Sequence, residues 1–168
     1  MIVPNSDITF SSILSIFFFN GQAFRFGHTS FFKKHSFKLN GPRNEQPWEF
    51  VVTSDKKILK KICDMCPNGP FIKDVSHLAA VFSKDTRYYI EDCSAATQNM
   101  LLAIEALGLG GCWVAGDKKN YAEDIRKIFN APDGYKLVSM ITIGYPKKEE
   151  TPHAKRNLKD VLRWERYA

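Results

Sequence analysis

The chain has 168 residues, of which 44% are hydrophobic and 25% charged, and its formal net charge is +6. These values are ordinary for a single globular domain with a sizeable core, and they exclude global disorder and fibrous classes. The positive charge favours an anionic ligand. No aromatic-rich or recognition-helix motif accompanies it, so nucleic-acid binding is not expected.

The first 40 residues form the least regular part of the chain. They hold nine of the thirteen phenylalanines and show no sustained helical or strand period. The apolar run Ile13–Phe19 is far too short to span a bilayer, and no Lys or Arg precedes it as in a secretion signal. We expect residues 1–40 to be an atypical segment that is not an independent domain, and we expect no membrane association.

Helical and strand patterns alternate after this segment. Ser54–Cys66 predicts an amphipathic helix with a Ser-Asp start. Val75–Ser83 is a mostly apolar run of strand length and predicts a strand buried on both faces. Tyr88–Leu109 predicts a long central helix, and the glycines of Gly108–Gly111 predict a left-handed C-cap at its end.

The second half continues the alternation. Cys112–Gly116 predicts a short buried strand, and Lys136–Gly144 predicts another strand after a turn. Asn120 and Glu123 stand at capping-box spacing and predict a helix start between these strands. The basic tail Lys155–Tyr167 predicts a short helix or an arm over a partner. This order of elements is typical of an α+β layered fold.

Cysteine and histidine patterns give no metal or catalytic site. Cys63 and Cys66 have CxxC spacing, but Cys93 and Cys112 are singletons, so buried or incidental thiols are expected. The sparse cysteines suit a reducing cytoplasm. His77 lies in a buried-strand pattern and predicts a satisfied core histidine. No serine-hydrolase, metalloprotease, P-loop or dinucleotide motif is present, so catalysis would depend on a borrowed cofactor.

Three features fit an anionic planar cofactor. Asn44 and Gln46 carry amide groups that could read the edge of a ring. The glycine-rich residues 108–116 could bring backbone N–H groups close to a ligand, and Lys155 with Arg156 suits a terminal phosphate. Each feature also has an ordinary explanation: a turn into a strand, a helix C-cap followed by a strand, and a solvated basic tail.

Taken together, "NEQPWEFVV", "YYIEDCSAATQNMLLAIEALGLGGCWVAG", "PDGYKLVSMITIGYPKKE" and "KRNLKDVLRWERY" resemble, in order and spacing, the FMN-dependent nitroreductase family. The resemblance covers residues 41–168, which would form a nitroreductase-like domain. It implies an α+β fold with a central mixed, mainly antiparallel sheet flanked by helices, in an intertwined homodimer with FMN at the interface. It also implies ping-pong hydride transfer from NAD(P)H through flavin N5 to a small-molecule acceptor, such as a nitroaromatic or quinone.

The resemblance assigns roles to individual residues. The implied cofactor-binding set is Asn44, Gln46, Trp113, Val114, Ala115, Gly116, Lys155 and Arg156. The asparagine would hydrogen-bond the flavin and the glutamine would shape its pocket, while residues 113–116 would run along the ring with their backbone N–H groups near N5. The two basic residues would bind the FMN phosphate. The resemblance assigns no catalytic side chain and no metal ligand.

The sequence departs from the family pattern before this set. Asn40 and Gly41 stand where the family usually has a proline and a serine, and residues 1–40 lack its basic phosphate-binding motif. Either the chain belongs to a divergent subgroup with a rebuilt N-terminus, or the reading frame upstream of about Asn40 is not the ancestral one, which we favour. Two other functions stay open: a non-catalytic or weakly flavin-binding dimer of this fold with a binding or structural role, and a polyanion-binding module.

Overall fold

The computed structural model describes residues 2–3, 45–146 and 154–167, so Asn44 and most of residues 1–40 lie outside the described part. The strands are β1 (Ile2–Val3), β2 (Trp48–Thr53), β3 (His77–Ser83), β4 (Gly110–Ala115) and β5 (Lys136–Pro146). The α-helices are α1 (Lys56–Met65), α2 (Tyr89–Ala106), α3 (Ala122–Ile128) and α4 (Leu158–Val161), and a 3-10 turn covers Ile72–Asp74. The α+β class expected from the sequence is confirmed.

The strands form one sheet in which β2, β3, β5 and β4 lie side by side, and β1 pairs with the last residues of β5. Every pair of described strands is antiparallel. Trp48 lies opposite Ser83, Ser83 opposite Lys136, and Ala115 opposite Ser139. The start of β2, the end of β3, the start of β5 and the end of β4 therefore share one end of the sheet, which we call the Ala115 end.

Apolar side chains cover both faces of the sheet. One face packs against α2 through buried residues that include Ala79, Val81, Met100, Ile104, Ile141 and Ile143. The other face packs against α1 and α3 through residues that include Leu59, Ile62, Leu78, Phe82, Ile125 and Met140. A strand covered on both faces carries a continuous apolar run. The buried strand predicted within Val75–Ser83 is therefore confirmed, with its start at His77.

Local chemistry sets the ends of α1 and α2 as expected. The Asp55 carboxylate accepts hydrogen bonds from the N–H groups of Lys57, at 2.7 Å, and Ile58, at 3.4 Å, which satisfies donors at the helix start. Beyond the end of α2, Gly108 adopts a φ of +71°, a conformation that glycine takes with little strain. Both predicted helices and this cap are confirmed.

Two predictions for the second half are wrong. The strand β4 is mostly exposed, with only Val114 buried, because one side pairs with β5 and no described strand pairs with the other. Asn120 does not cap α3, whose N-cap is Tyr121 without a side-chain hydrogen bond. The Glu123 carboxylate instead forms an ion pair with Arg126 at 2.8 Å, so the predicted capping box is absent.

The prediction of a satisfied core histidine also needs correction. The buried Nδ1 of His77 has no hydrogen-bond partner within the described part of the chain. Burial lowers the pKa of His77, and the nearby Lys56 ammonium, which donates to the Val75 carbonyl at 2.7 Å, lowers it further. The ring is therefore held neutral at pH 7.

The four cysteines are free thiols. Cys66 and Cys93 are buried, and burial raises the pKa of both thiols to about 11, so they are not nucleophilic thiolates at neutral pH. Cys112 is exposed. Within the described ranges, no group of three or more His, Cys, Asp or Glu side chains could hold a metal ion. No helix in these ranges is long and apolar enough to cross a membrane.

A buried pair of hydroxyl groups joins α2 to β5. Thr97 Oγ1 lies 2.7 Å from Ser139 Oγ and donates to the Cys93 carbonyl at 2.7 Å, and both side chains are fully buried. Because the single hydroxyl proton of Thr97 goes to Cys93, Ser139 donates to Thr97. This hydrogen bond fixes the long helix over the centre of the sheet.

Replacing Thr97 with valine would leave the Ser139 hydroxyl buried without its acceptor, and we expect the free energy of unfolding to fall by about 1–3 kcal/mol. The double variant T97V/S139A removes both polar groups, so its loss should be smaller than the sum of the losses in the two single variants. Denaturant unfolding measures all three. Additive losses would show that the two hydroxyl groups do not depend on each other.

Candidate cofactor site along the edge of the sheet

The free edge of β4 presents backbone N–H groups at the Ala115 end. Gly116 N–H donates to the Val138 carbonyl at 3.1 Å, which places Gly116 in a hydrogen-bonded pair with β5. Because hydrogen-bonding groups alternate along an antiparallel strand, the N–H groups of Trp113 and Ala115 point away from β5. No described strand pairs with this edge, so no described strand accepts hydrogen bonds from these donors.

The last peptide group of β4 is held on both sides. This is the peptide group between Ala115 and Gly116. Its carbonyl, on Ala115, accepts a hydrogen bond from the Tyr121 hydroxyl at 2.6 Å, and its N–H, on Gly116, donates to the Val138 carbonyl. Asp117 N–H donates to the same Val138 carbonyl at 3.1 Å. The end of the strand is thereby fixed before the chain turns away from the sheet.

A polar network fixes the next residue from the α2 face of the sheet. The Tyr89 hydroxyl donates to the Asp117 carboxylate at 3.0 Å. The Lys136 ammonium lies 4.6 Å from the centre of the Tyr89 ring and forms an ion pair with Asp85 at 2.8 Å. Burial and the hydrogen bond to Asp117 raise the pKa of the Tyr89 phenol, so this donor stays protonated at neutral pH.

A cavity of about 590 Å³ opens beside β4, between the end of α1 and the loop that precedes α3. Its wall includes the Val114 side chain of β4 and the ring of Tyr121. Lys118, Lys119, Asp124 and Asn68 add charged and amide groups. Two lysines against one aspartate leave a net positive charge, which together with amide donors suits an anionic or electron-rich ring system, and the volume lies within the range of small-molecule sites.

Glycine at position 116 is required by close packing. A Cβ atom there would lie 2.7 Å from Leu137 Cγ and 3.0 Å from the Leu137 carbonyl oxygen. Both distances are shorter than ordinary van der Waals contacts. Gly116 therefore lets β4 end directly against β5. This packing requirement explains the glycine without any contact to a ligand.

The residues assigned by resemblance fall into three places. Gln46 is exposed just before β2, with a φ of +46°. Ala115 and Trp113 are exposed on β4, whereas Val114 packs into the core and Gly116 is buried. Of these four neighbours, Trp113 and Ala115 have N–H groups that face away from β5.

The third place is the tail. Lys155 and Arg156 lie in residues 154–167, all of which are exposed. Arg156 donates a hydrogen bond to the Asp160 carbonyl at 2.7 Å. Both cations therefore face solvent in the single chain. Asn44 lies outside the described residues.

Gln46 and Ala115 share one end of the sheet without meeting. Gln46 lies just before β2 and Ala115 ends β4, and these strands are at opposite sides of the order β2, β3, β5, β4. Three strand spacings amount to about 14 Å, far beyond a hydrogen bond. One chain therefore presents two separate parts of the assigned site.

Several polar groups beside the edge were missed by sequence reasoning. The local sequence carries no binding motif at Tyr121, Asn68 or Lys118, and the last two lie in turns. Lys118 has a φ of +57°, which is uncommon for a residue other than glycine. The tight turn after β4 brings these residues together, and local spacing does not show it.

The fold and this site define an α+β protein with an exposed sheet edge beside a polar cavity. The profile of the nitroreductase family matches residues 82–145. A solved structure from Bacteroides thetaiotaomicron, provisionally named an NADH dehydrogenase/NAD(P)H nitroreductase, is 32% identical, with a TM-score of 0.70 over 76% of this chain and 77% of that chain. The chain belongs to the nitroreductase family, as the sequence motifs predicted.

Two further relatives add detail. A protein of Archaeoglobus fulgidus with the same provisional name is 33% identical over 114 residues, which are 64% of this chain and 66% of that protein. The chain thus spans slightly less than two thirds of that relative. A structure of iodotyrosine deiodinase bound to FMN and 3-iodo-L-tyrosine is 25% identical, with a TM-score of 0.62 over 74% of this chain and 79% of that chain.

Replacing Gly116 with alanine should lower the free energy of unfolding by about 1–3 kcal/mol, because the added methyl group overpacks against the Leu137 backbone and side chain. Thermal or denaturant unfolding measures the loss. Gly108→Asn is the control, since asparagine tolerates a positive φ and no atom lies within 4 Å of a Cβ there. A G116A protein as stable as the wild type would contradict the close packing at the end of β4.

Proposed function

We propose that this chain is an FMN-dependent oxidoreductase that transfers hydride from NAD(P)H to nitroaromatic, quinone or related small-molecule acceptors. The family supports an oxidoreductase, and FMN is present in the related deiodinase structure. The observation that carries the proposal is the free edge of β4, where the Ala115 N–H faces outward beside a polar cavity. A cytoplasmic setting accords with the four free cysteines.

The residues present fit a flavin. The outward N–H groups of Trp113 and Ala115 would donate to the edge of the ring, with Ala115 at N5, and fixed backbone donors stabilise charge that develops there. The cavity would receive one end of the ring beside Asn68. Val114 and Gly116 would hold the strand in place, because the Val114 side chain packs in the core and Gly116 packs closely against Leu137 of β5.

Bound FMN would supply the redox chemistry, accepting hydride at N5 and returning it to the second substrate in a ping-pong order. The chain's own residues would bind and orient. Gln46, together with Asn44, would contact the flavin from a second chain, and Lys155 with Arg156 would bind its phosphate. We assign no side chain to proton exchange with the substrate. Burial keeps the Cys66 and Cys93 thiols neutral by raising the pKa of each to about 11.

A homodimer would bring the separate parts of the site together. Gln46 of one chain and Ala115 of the other would face the same flavin, whereas within one chain they lie about three strand spacings apart. The tail supports this arrangement, because Leu158, Trp164 and Tyr167 are 70%, 82% and 83% exposed. Large apolar side chains on an extended arm are stabilised when another surface covers them, and we propose that a second copy does so.

The visible spectrum of the purified protein tests the cofactor. We expect flavin absorbance with about one FMN per chain, and NAD(P)H consumption that depends on a nitroaromatic or quinone. The same assay with 3-iodo-L-tyrosine as acceptor would test the likeness to the deiodinase. Colourless protein that fails to take up added FMN would contradict the proposal. A flavin-free dimer would instead favour the alternative that the chain is a non-catalytic dimer of this fold.

The tail has its own test. Trp164→Asp places a charge where we propose a covering subunit, so light scattering should show a larger monomer fraction than in the wild type. Glu165→Gln, on the neighbouring exposed residue, is the matched control and should leave the mass unchanged. If the W164D protein had the wild-type dimer mass, the proposal that the tail forms part of the interface would be wrong.

A further inference from the structure

We infer that Tyr121 is a positioning residue of this site: its hydroxyl holds the Ala115 carbonyl and so fixes, on the C-terminal side, the residue whose N–H faces the ligand. The inference rests on the proposed function, since the ligand is the flavin. Tyr121 lies one residue before α3, lines the cavity, and donates to Ala115 at 2.6 Å.

The geometry of an edge strand explains why Ala115 needs this support. Val138 holds the N–H side of the peptide group between Ala115 and Gly116, but no described strand pairs with the carbonyl on the other side. Gly116 follows, and glycine restricts the backbone less than any other residue. Among the described residues, the bond to Val138 is the one hydrogen bond that would still fix the last peptide group of β4 without the Tyr121 hydroxyl.

Tyr121 is itself held in place. Its ring packs against the hydrophobic cluster formed by α1, α3 and the sheet. Burial and the neighbouring Cys66 thiol raise the pKa of the Tyr121 phenol, and burial raises the pKa of Cys66 to about 11. Both groups are therefore neutral at physiological pH, and the phenol keeps the proton that it donates to Ala115.

Tyr121→Phe tests the inference because it removes the hydroxyl and keeps the ring. Tyr135→Phe is the matched control: the Tyr135 hydroxyl donates to the exposed Glu49 carboxylate at 2.7 Å and does not line the cavity. The loss of one hydrogen bond that orients a donor should weaken FMN binding roughly three- to tenfold. It should also shift the midpoint potential of the bound FMN, which a loss of stability alone would not do.

Fluorescence titration with FMN, potentiometry of the loaded protein and amide hydrogen exchange of the apoprotein measure these effects. The inference is supported if Y121F alone weakens FMN binding, shifts the potential and speeds amide exchange at Gly116 and Asp117, which donate to Val138. Unchanged affinity and potential in Y121F, or equal changes in Y135F, would overturn it. If the wild type binds no FMN, the proposed function fails, and hydrogen exchange still decides whether Tyr121 holds the end of β4.

Discussion

The carbonyl of Val138 is the point on which the candidate site depends. It accepts hydrogen bonds from both Gly116 and Asp117, each at 3.1 Å, and so joins the end of β4 to the central strand β5. This attachment determines which N–H groups of β4 face β5 and which face the open edge. Gly116 allows it, because any side chain there would collide with Leu137. The position of the donors is therefore a consequence of core packing.

Two aromatic hydroxyl groups reinforce this attachment from opposite faces of the sheet. Tyr89 donates to Asp117 on the α2 side, and Tyr121 donates to Ala115 on the side of the cavity. Both phenols have raised pKa values because they are partly buried, so both remain donors at neutral pH. A short segment with little side-chain chemistry is thus given a fixed direction, which is what electrostatic stabilisation by backbone groups requires.

Sequence reasoning succeeded where the signal is local. The Asp55 cap, the left-handed Gly108 and the buried β3 follow from residue type and spacing alone. It failed for β4, because an edge strand and a buried strand can have the same short apolar composition. Only the strand order distinguishes them, and that order depends on contacts between distant residues.

The predictions for Asn120 and His77 were wrong for related reasons. A capping box needs its glutamate free, but Glu123 is drawn to Arg126 by an ion pair. A buried histidine needs a partner that the strand pattern cannot specify, and the described structure gives none to His77 Nδ1. In both cases a second interaction, outside the motif, determined the outcome. The family resemblance was recovered because it rests on ordered motifs over much of the chain, which survive such local errors.

The separation of Gln46 from Ala115 determines how the motifs can act together. Both lie at one end of the sheet, yet β3 and β5 stand between them, and these strands are covered on both faces by helices. A rearrangement within one chain that joined the two residues would have to remove the most deeply buried strands from the core, at a cost far above that of an interface. In the proposed dimer, two chains would supply these groups to one ligand without a change in either core. The packing that stabilises the fold keeps Gln46 and Ala115 apart within one chain, and the proposed dimer accords with that separation.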